Sequence, residues 1–259
     1  MLSLSEKEAL QRLGPQVSVD PAKYPSRVRI PGRYIDLAPL SIEHAEPLFP
    51  LIAQPEHERL WDYMLDQPFH GDRSLFDAFI SARSGTENSM VFWAIIDKSS
   101  PAPTTPKVLG FISYLRINAA HRTIEIGNIM FSHLLQRSRK SSEVVYLMLK
   151  HAFEELGYRR VEWKCNNLSS PSKRAALRYG FSYEGLFQKM FIIKQRSRDT
   201  AWFSMIDDEW PQRKKALEAW LSEDNFDMET GVQKLTLKQA HEKQGYKVPQ
   251  TLVARPNPF

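Results

Sequence analysis

The order of apolar patterns along these 259 residues predicts an α+β domain on a mixed sheet. Seven strand-like runs and four helical patterns follow one another as β-α-α-β-β-β-α-β-α-β-β. The run Val108–Ile117 is apolar on both faces, with Leu109, Phe111 and Leu115 against Ile112 and Tyr114, which suits a central strand covered on both sides. Ser141–Leu156 carries Val145, Met148, Leu149, Ala152, Phe153 and Leu156 at helical spacing, and Gly157 supplies the stop.

The remaining elements follow in chain order. Residues 1–30 are polar and hold Pro15, Pro21 and Pro25, the signature of a weakly structured arm. Arg33–Leu40 reads as a strand, and Ser41 caps a helix over about Ile42–Ala53. An aromatic loop with Trp61, Tyr63 and Phe69 leads to a second helix, opened by Asp72 or Ser74 and ending near Ser81–Gly85. Val91–Ile96 is a compact strand, and the three prolines of Lys98–Pro106 mark a connecting hairpin loop. Thr123–Ser132 is a further strand. Arg159–Asn166 alternates, with Val161, Trp163 and Cys165 on one side and Glu162, Lys164 and Asn166 on the other. Ser169–Pro171 starts a short helix that Gly180 ends. Strands over Ser182–Ile193 and Ala201–Ile206 are joined by a polar turn, Gln195–Asp199, and helices follow at Gln212–Leu221 and Leu237–Gln244. The expected division is an arm (1–30), a sheet domain (31–207) and a C-terminal helical extension and tail (208–259).

Composition narrows the function. Hydrophobic residues make up 42% and charged residues 25%, an ordinary globular balance. The longest apolar stretch, Met90–Ile96, is far below the ~20 residues of a membrane span, so no membrane partner is expected. No secretory signal is visible, and the single cysteine fits a reducing, cytoplasmic setting. The histidines, at 44, 57, 70, 121, 133, 151 and 241, include no i, i+4 pair, which argues against a metal site. The net charge of +5 is concentrated: residues 133–200 hold 14 Lys and Arg against 6 Asp and Glu. That points to an anionic ligand bound there, or to a solvated basic face. Nucleic acid is not expected, because no aromatics are interleaved for base stacking.

The junction between strand 123–132 and helix 141–156 is the sharpest anomaly. Arg137, Ser138, Arg139, Lys140, Ser141 and Ser142 surround a helix N-terminus. Free N–H groups and the positive end of the dipole suit phosphate there, whereas cations oppose the dipole unless an anion compensates them. The loop has no glycine, so it is neither a P-loop nor a dinucleotide fingerprint.

Glu125-Ile126-Gly127-Asn128-Ile129-Met130-Phe131, Gln136–Ser141, Glu143, His151–Glu162 and Gly180-Phe181-Ser182-Tyr183-Glu184-Gly185 together resemble the GNAT acyl-CoA N-acetyltransferase superfamily. More narrowly they resemble the branch of ribosomal-protein-alanine and microcin-immunity acetyltransferases. The resemblance covers roughly 31–207. It implies a sheet of about seven strands, mostly antiparallel, with helices on both faces. Its splayed parallel pair, 123–132 and 159–166, forms the acyl-CoA cleft. It further implies acetyl-CoA as acyl donor, with pantetheine along Ile129, Met130 and Phe131. The pyrophosphate is implied on Gln136, Arg137, Ser138, Arg139, Lys140, Ser141 and Ser142, with Ser169 nearby. Arg139 and Ser141 stand where the family's loop has glycine or alanine. Ala176 stands where many members carry a proton-donating tyrosine, which leaves Ser172 and Tyr179, one helical turn either side, as the candidate donors.

An alkylamine has a pKa near ~10.4, so an attacking amine needs a base. Glu125 is the candidate, with a structural hydrogen bond as the alternative. Trp61, Tyr63 and Asn128 are the candidate acceptor-binding residues, although aromatics there are as often core. Cys165 lies on an apolar strand face, which favours packing over an acyl-enzyme. The reading is direct N-acetyl transfer from acetyl-CoA to a primary amine, of a small molecule. The alternatives are a protein N-terminal amine as acceptor, or a non-catalytic acyl-CoA-binding relative. The extension beyond Asp207 shows no readable chemistry and is available to cover a sheet edge or to form a dimer.

Overall fold

Eight strands form one sheet: β1 (Ile30–Pro31), β2 (Ile35–Pro39), β3 (Val91–Asp97), β4 (Val108–Asn118), β5 (Thr123–Phe131), β6 (Arg160–Asn166), β7 (Ser182–Ile193) and β8 (Arg196–Ile206). Their order is β1-β2-β3-β4-β5-β6-β8-β7, and every pairing is antiparallel except β5 with β6. The helices are α1 (Ala45–Ile52), α2 (Arg73–Ser84), α3 (Arg139–Lys150), α4 (Ser170–Arg178), α5 (Trp210–Leu221) and α6 (Leu237–Lys243). The computed structural model describes residues 12–85, 89–99, 107–227, 229–249 and 252. The proline-rich loop expected at Lys98–Pro106 lies mostly outside them.

All seven expected strands and both pairs of helices form, with the two-residue β1 added at the edge. The two faces of the sheet carry separate cores. Trp61, Phe69, Phe76, Phe79, Phe92 and Phe111 pack under α1 and α2. Leu109, Ile112, Tyr114, Val145, Met148 and Trp163 pack under α3. Leu109 therefore lies on the Ile112 face, and the expected grouping with Phe111 does not hold. The cause is a bulge: Ile95 pairs with Gly110 but Ile96 with Val108, so one residue of β4 is extra and the alternation slips.

Helix α3 begins two residues before the expected Ser141, because Ser138 caps it: its Oγ accepts from Ser141 N at 3.2 Å. Its last turn, His151–Glu155, widens into a π-helix.

The expected turn at Gln195–Asp199 is a two-residue turn at Lys194–Gln195, both with positive φ (51° and 60°). Such turns match the twist of the flanking strands. The β8 strand consequently begins at Arg196.

The arm lacks regular structure over residues 14–29 but is fixed to the domain. Ala22 N donates to Ala119 O at 3.0 Å, Lys23 N to Leu156 O at 2.8 Å, and Trp93 Nε1 to Val28 O at 2.8 Å. Residues beyond Asp207 share the α3-side core through Trp210, Ala216, Leu217, Trp220, Leu237 and Ala240.

Candidate active site

The cleft arises where β5 parts from β6. The two pair only at Thr123–Arg160, Ile124–Val161 and Glu125–Glu162, and beyond Glu125 this edge of β5 has no strand partner among the described residues. A bulge bends it away: Phe111 faces Met130 and Ser113 faces Gly127, so β5 spends one residue more than β4. Asn128 takes the left-handed conformation there (φ 48°), and its Nδ2 donates to Ser113 Oγ at 2.9 Å. The β4 and β5 backbones also approach closely at Gly110, where an added Cβ would lie 2.1 Å from Met130 O. The resulting cavity has a volume of about 1190 Å³.

At one end stands the N-terminus of α3. The loop before it folds back through Leu135 N and Gln136 N, both donating to Ser132 O, while Gln136 Nε2 holds Phe131 O at 2.8 Å. Arg137 supplies the left-handed residue (φ 57°). Arg139, at the family's glycine position, is simply the first helical residue, which explains why the loop closes without glycine. The amides of Ser138, Arg139 and Lys140 have no partner within the helix.

The three cations differ in fate. Lys140 turns away and bonds buried Asp97 at 2.6 Å; burial alone would raise that carboxyl, but Lys140 and Ser99 hold it below its ordinary range. Arg139 Nη1 donates to Tyr34 Oη at 2.7 Å, with its guanidinium 3.4 Å from the Phe226 ring centroid. Arg137 lines the cavity and has no side-chain partner among the described residues.

Of the residues expected to hold the donor, Ile129, Met130, Phe131, Gln136, Arg137, Ser138, Arg139, Ser141 and Ser169 line the cavity. Lys140 and Ser142 do not. Ser142 is buried, and its Oγ accepts from Arg178 Nη1 at 3.0 Å. Arg178 itself lines the cavity, and sequence reasoning missed it.

At the vertex of the splay, Glu125 is buried. Arg116 Nη1 (2.8 Å) and Lys164 Nζ (2.9 Å) both sit on its Oε2, and Lys164 also bonds Glu162 at 2.6 Å. Among the described residues no donor reaches Oε1. Ser172, on the α4 wall, accepts from Trp163 Nε1 at 3.0 Å. The Tyr179 hydroxyl donates to Ser141 O at 3.5 Å, which puts it toward the α3 end of the cavity and away from Glu125. Burial pushes the Cys165 thiol up, against the opposing pull of Ser172, Lys173 and Arg198.

The expected acceptor residues separate. Trp61 does not reach the cavity: it is fully buried, donates from Nε1 to Ile52 O at 2.7 Å, and meets Phe69 and Phe79 edge-on. The aromatic loop is core at that residue because its ring completes the cluster under α2. Tyr63 and Asn128 line the cavity, though Asn128 spends its amide on Ser113.

Two walls escaped the sequence. Arg198, Thr200 and Phe191 come from the β7–β8 hairpin, and Trp220, Phe226 and Gln233 come from the C-terminal extension. Asn225 places the latter: its side chain donates to Trp220 O (3.0 Å) and Leu235 O (3.1 Å) and accepts from Leu235 N (2.8 Å). Among the described residues no cluster of three metal-ligating side chains occurs.

Known proteins share this architecture. The family model described as an acetyltransferase (GNAT) domain matches residues 35–182. A GCN5-related N-acetyltransferase from Brucella melitensis is 37% identical and superposes with a TM-score of 0.80, over 86% of this chain and 98% of that one. A probable acetyltransferase of the GNAT family from Chromobacterium violaceum ATCC 12472 is 35% identical (TM-score 0.68, 76% and 96%). The microcin C7 self-immunity acetyltransferase MccE, solved with acetyl-CoA and AMP, is 24% identical (TM-score 0.57, 68% and 93%) and shares the fold. Among curated proteins nothing matches. A splayed β5–β6 pair facing a capped helix N-terminus, a family model spanning more than half the chain and a relative matched over nearly all of its own length agree: this chain belongs to the GNAT family of acetyltransferases.

Proposed function

We propose that this chain is an acetyl-CoA-dependent N-acetyltransferase that moves an acetyl group directly to a primary amine of a small molecule. One observation carries the reading. Residues of the free edge of β5 and of the arginine-flanked N-terminus of α3 line the same cavity. The residues fit the donor: the amides of Ser138, Arg139 and Lys140, with Arg137, Arg139 and Arg178, would hold its phosphates. The edge of β5 from Ile126 to Met130 would pair with its amide arm. Bound there, acetyl-CoA supplies the activated acetyl thioester.

The chain's own groups then account for positioning and proton movement. Glu125 Oε1 takes the proton of the acceptor amine, directly or through one water, while Arg116 and Lys164 hold the carboxylate in place through Oε2. As the C–S bond breaks, Ser172 on the α4 wall would donate its hydroxyl proton to the departing thiolate, its oxygen being held by Trp163 Nε1. Proximity does the rest. The raised Cys165 thiol stays protonated at neutral pH, which supports direct transfer over an acyl-enzyme. Lys194 Nζ bonds Trp61 O at 2.6 Å and ties the β7–β8 hairpin to the loop that carries Tyr63. That bridge favours a small acceptor over a protein N-terminus.

Calorimetric titration of the full chain with acetyl-CoA, with ATP as anionic control, tests the reading. Selective binding of acetyl-CoA is expected. Absence of binding, or equal binding of ATP, reduces the loop to a basic surface and overturns it.

A further inference from the structure

The charges that line the cavity are very unequal. Arg59, Arg116, Lys164, Arg174 and Arg198 face one carboxylate, Glu125, outside the stretch assigned to the donor's phosphates. Lys164 and Arg116 are compensated, by Glu162 with Glu125 and by Glu125 respectively. Arg198 is not: among the described residues it makes no hydrogen bond or ion pair, and its Nε is buried without an acceptor. The Phe191 ring lies 6.0 Å from its guanidinium, and Cys165, Arg116 and Glu125 are its charged or titratable neighbours. Two residues on, and so on the same face of β8, Thr200 is 1% exposed, and its Oγ1 also lacks a partner.

Trp202 Nε1, two residues further on, is open as well, but Arg198 Nε and Thr200 Oγ1 are the open donors of this face that line the cavity, and an unmade buried hydrogen bond is costly. Both belong to a cavity built to receive a molecule. Their place is the acceptor end, since Arg198 lies in the field of Arg116 and Glu125 at the vertex of the splay. The chemistry of the acceptor sharpens the point. A plain alkylamine arrives as a cation and meets a basic wall, whereas an amine that also carries an anion matches it.

We infer that Arg198 and Thr200 form an anion-binding subsite for the acceptor, so that the preferred substrate is an amine bearing a carboxylate or phosphate group. This rests on the acetyltransferase reading above and names the substrate class for that site. Arg198 binds the anion through its guanidinium and Thr200 through its hydroxyl. Neither takes part in proton transfer.

The experiment uses the full chain and matched pairs of amines: leucine with leucinamide, and 2-aminoethyl phosphate with ethanolamine. Binding to the CoA-saturated protein is read by calorimetry, and acetyl transfer by initial rates. The anionic member of at least one pair is expected to bind and react about 10- to 100-fold better, the range of one charge-assisted pair. The leucine and aminoethyl phosphate arms separate a carboxylate acceptor from a phosphate one. Arg198→Met should abolish the preference and leave CoA affinity unchanged. Thr200→Val, which keeps the shape, should reduce it several-fold, and circular dichroism confirms that both variants fold. Equal binding of both members of both pairs, or a preference that survives Arg198→Met, overturns the subsite. If CoA does not bind, the acetyltransferase reading fails, and titration of the unliganded protein with the same pairs still decides the Arg198 site.

Discussion

Asn128 and Arg137 take the left-handed conformations that the cleft requires, one at the β5 bulge and one in the loop before α3. A left-handed residue is not always announced by glycine: asparagine tolerates it, and arginine is held there by the loop's own hydrogen bonds. Glu125 is the residue whose role decides the chemistry. Glu125→Gln keeps the shape of the side chain but removes the proton acceptor, so kcat should fall about 100-fold or more. Affinity for acetyl-CoA should hold, and steady-state kinetics with calorimetry read both. A kcat within twofold of the parent would make Glu125 a purely structural partner of Arg116 and Lys164.

Residue type singled out the basic loop before α3, and the family resemblance pointed to Ile129–Phe131; Ile129, Met130, Phe131, Gln136, Arg137, Ser138, Arg139 and Ser141 line the cavity. Trp61 was not separable from core, because an aromatic in a loop reads the same whether it lines a pocket or fills one. The side chains of Lys140 and Ser142 leave the cavity although their neighbours line it, while the Lys140 amide stays at the α3 terminus. A helix turns about 100° per residue and sends neighbours in different directions.

Among the elements, the β7–β8 hairpin shows how a local misreading hides function. Gln195–Asp199 is polar and reads as a turn, which puts Arg198 in solvent. The turn at Lys194–Gln195, held by the bond from Lys194 to Trp61 O, moves Arg198 and Thr200 onto a strand that faces the cavity. No pattern in the hairpin itself carries that information, because the contact that fixes it is 133 residues away. The segment after α5 acts similarly. Phe226 lies under Arg139 and, with Tyr34, holds its cationic head at the α3 terminus. Phe226→Ala should therefore weaken acetyl-CoA binding about 3- to 10-fold, the effect of one cation–π contact, with kcat at saturation unchanged. Unchanged affinity by calorimetry would show that Tyr34 alone positions Arg139.

For the molecule as a whole, the extension is part of the core, and His241 reports on it. Its ring is fully buried, and burial together with the charges of Arg213 and Arg178 lowers its pKa to about 4 against the opposing contact with the Arg178 backbone. Above about pH 6.5 the ring is neutral folded or unfolded. Between 6.5 and 4 the unfolded chain takes up a proton that the folded chain refuses, so stability present at neutral pH is lost as pH falls through that window. The contribution is roughly 3 kcal/mol. Urea unfolding at pH 7 and pH 4.5 should show this loss on top of any from carboxylates. His241→Phe should lose about that much less between the two pH values, and an identical loss in both proteins would refute the assignment.

The sequence by itself determined what depends on neighbours along the chain. Strand alternation and helical stripes specify the sheet and its helices, because each pattern encodes one buried face, while the Gln136–Ser141 and Gly180-Phe181 elements carry the resemblance to the family. Only the tertiary structure decided which charges in the basic segment are spent and which are open. Lys140 is neutralised by Asp97, Lys164 by Glu125 and Glu162, and Arg139 is stacked on Phe226, while Arg137 and Arg198 are left facing the cavity. The partners come from strands and loops far away in sequence, and a charge acquires its role from what folds against it.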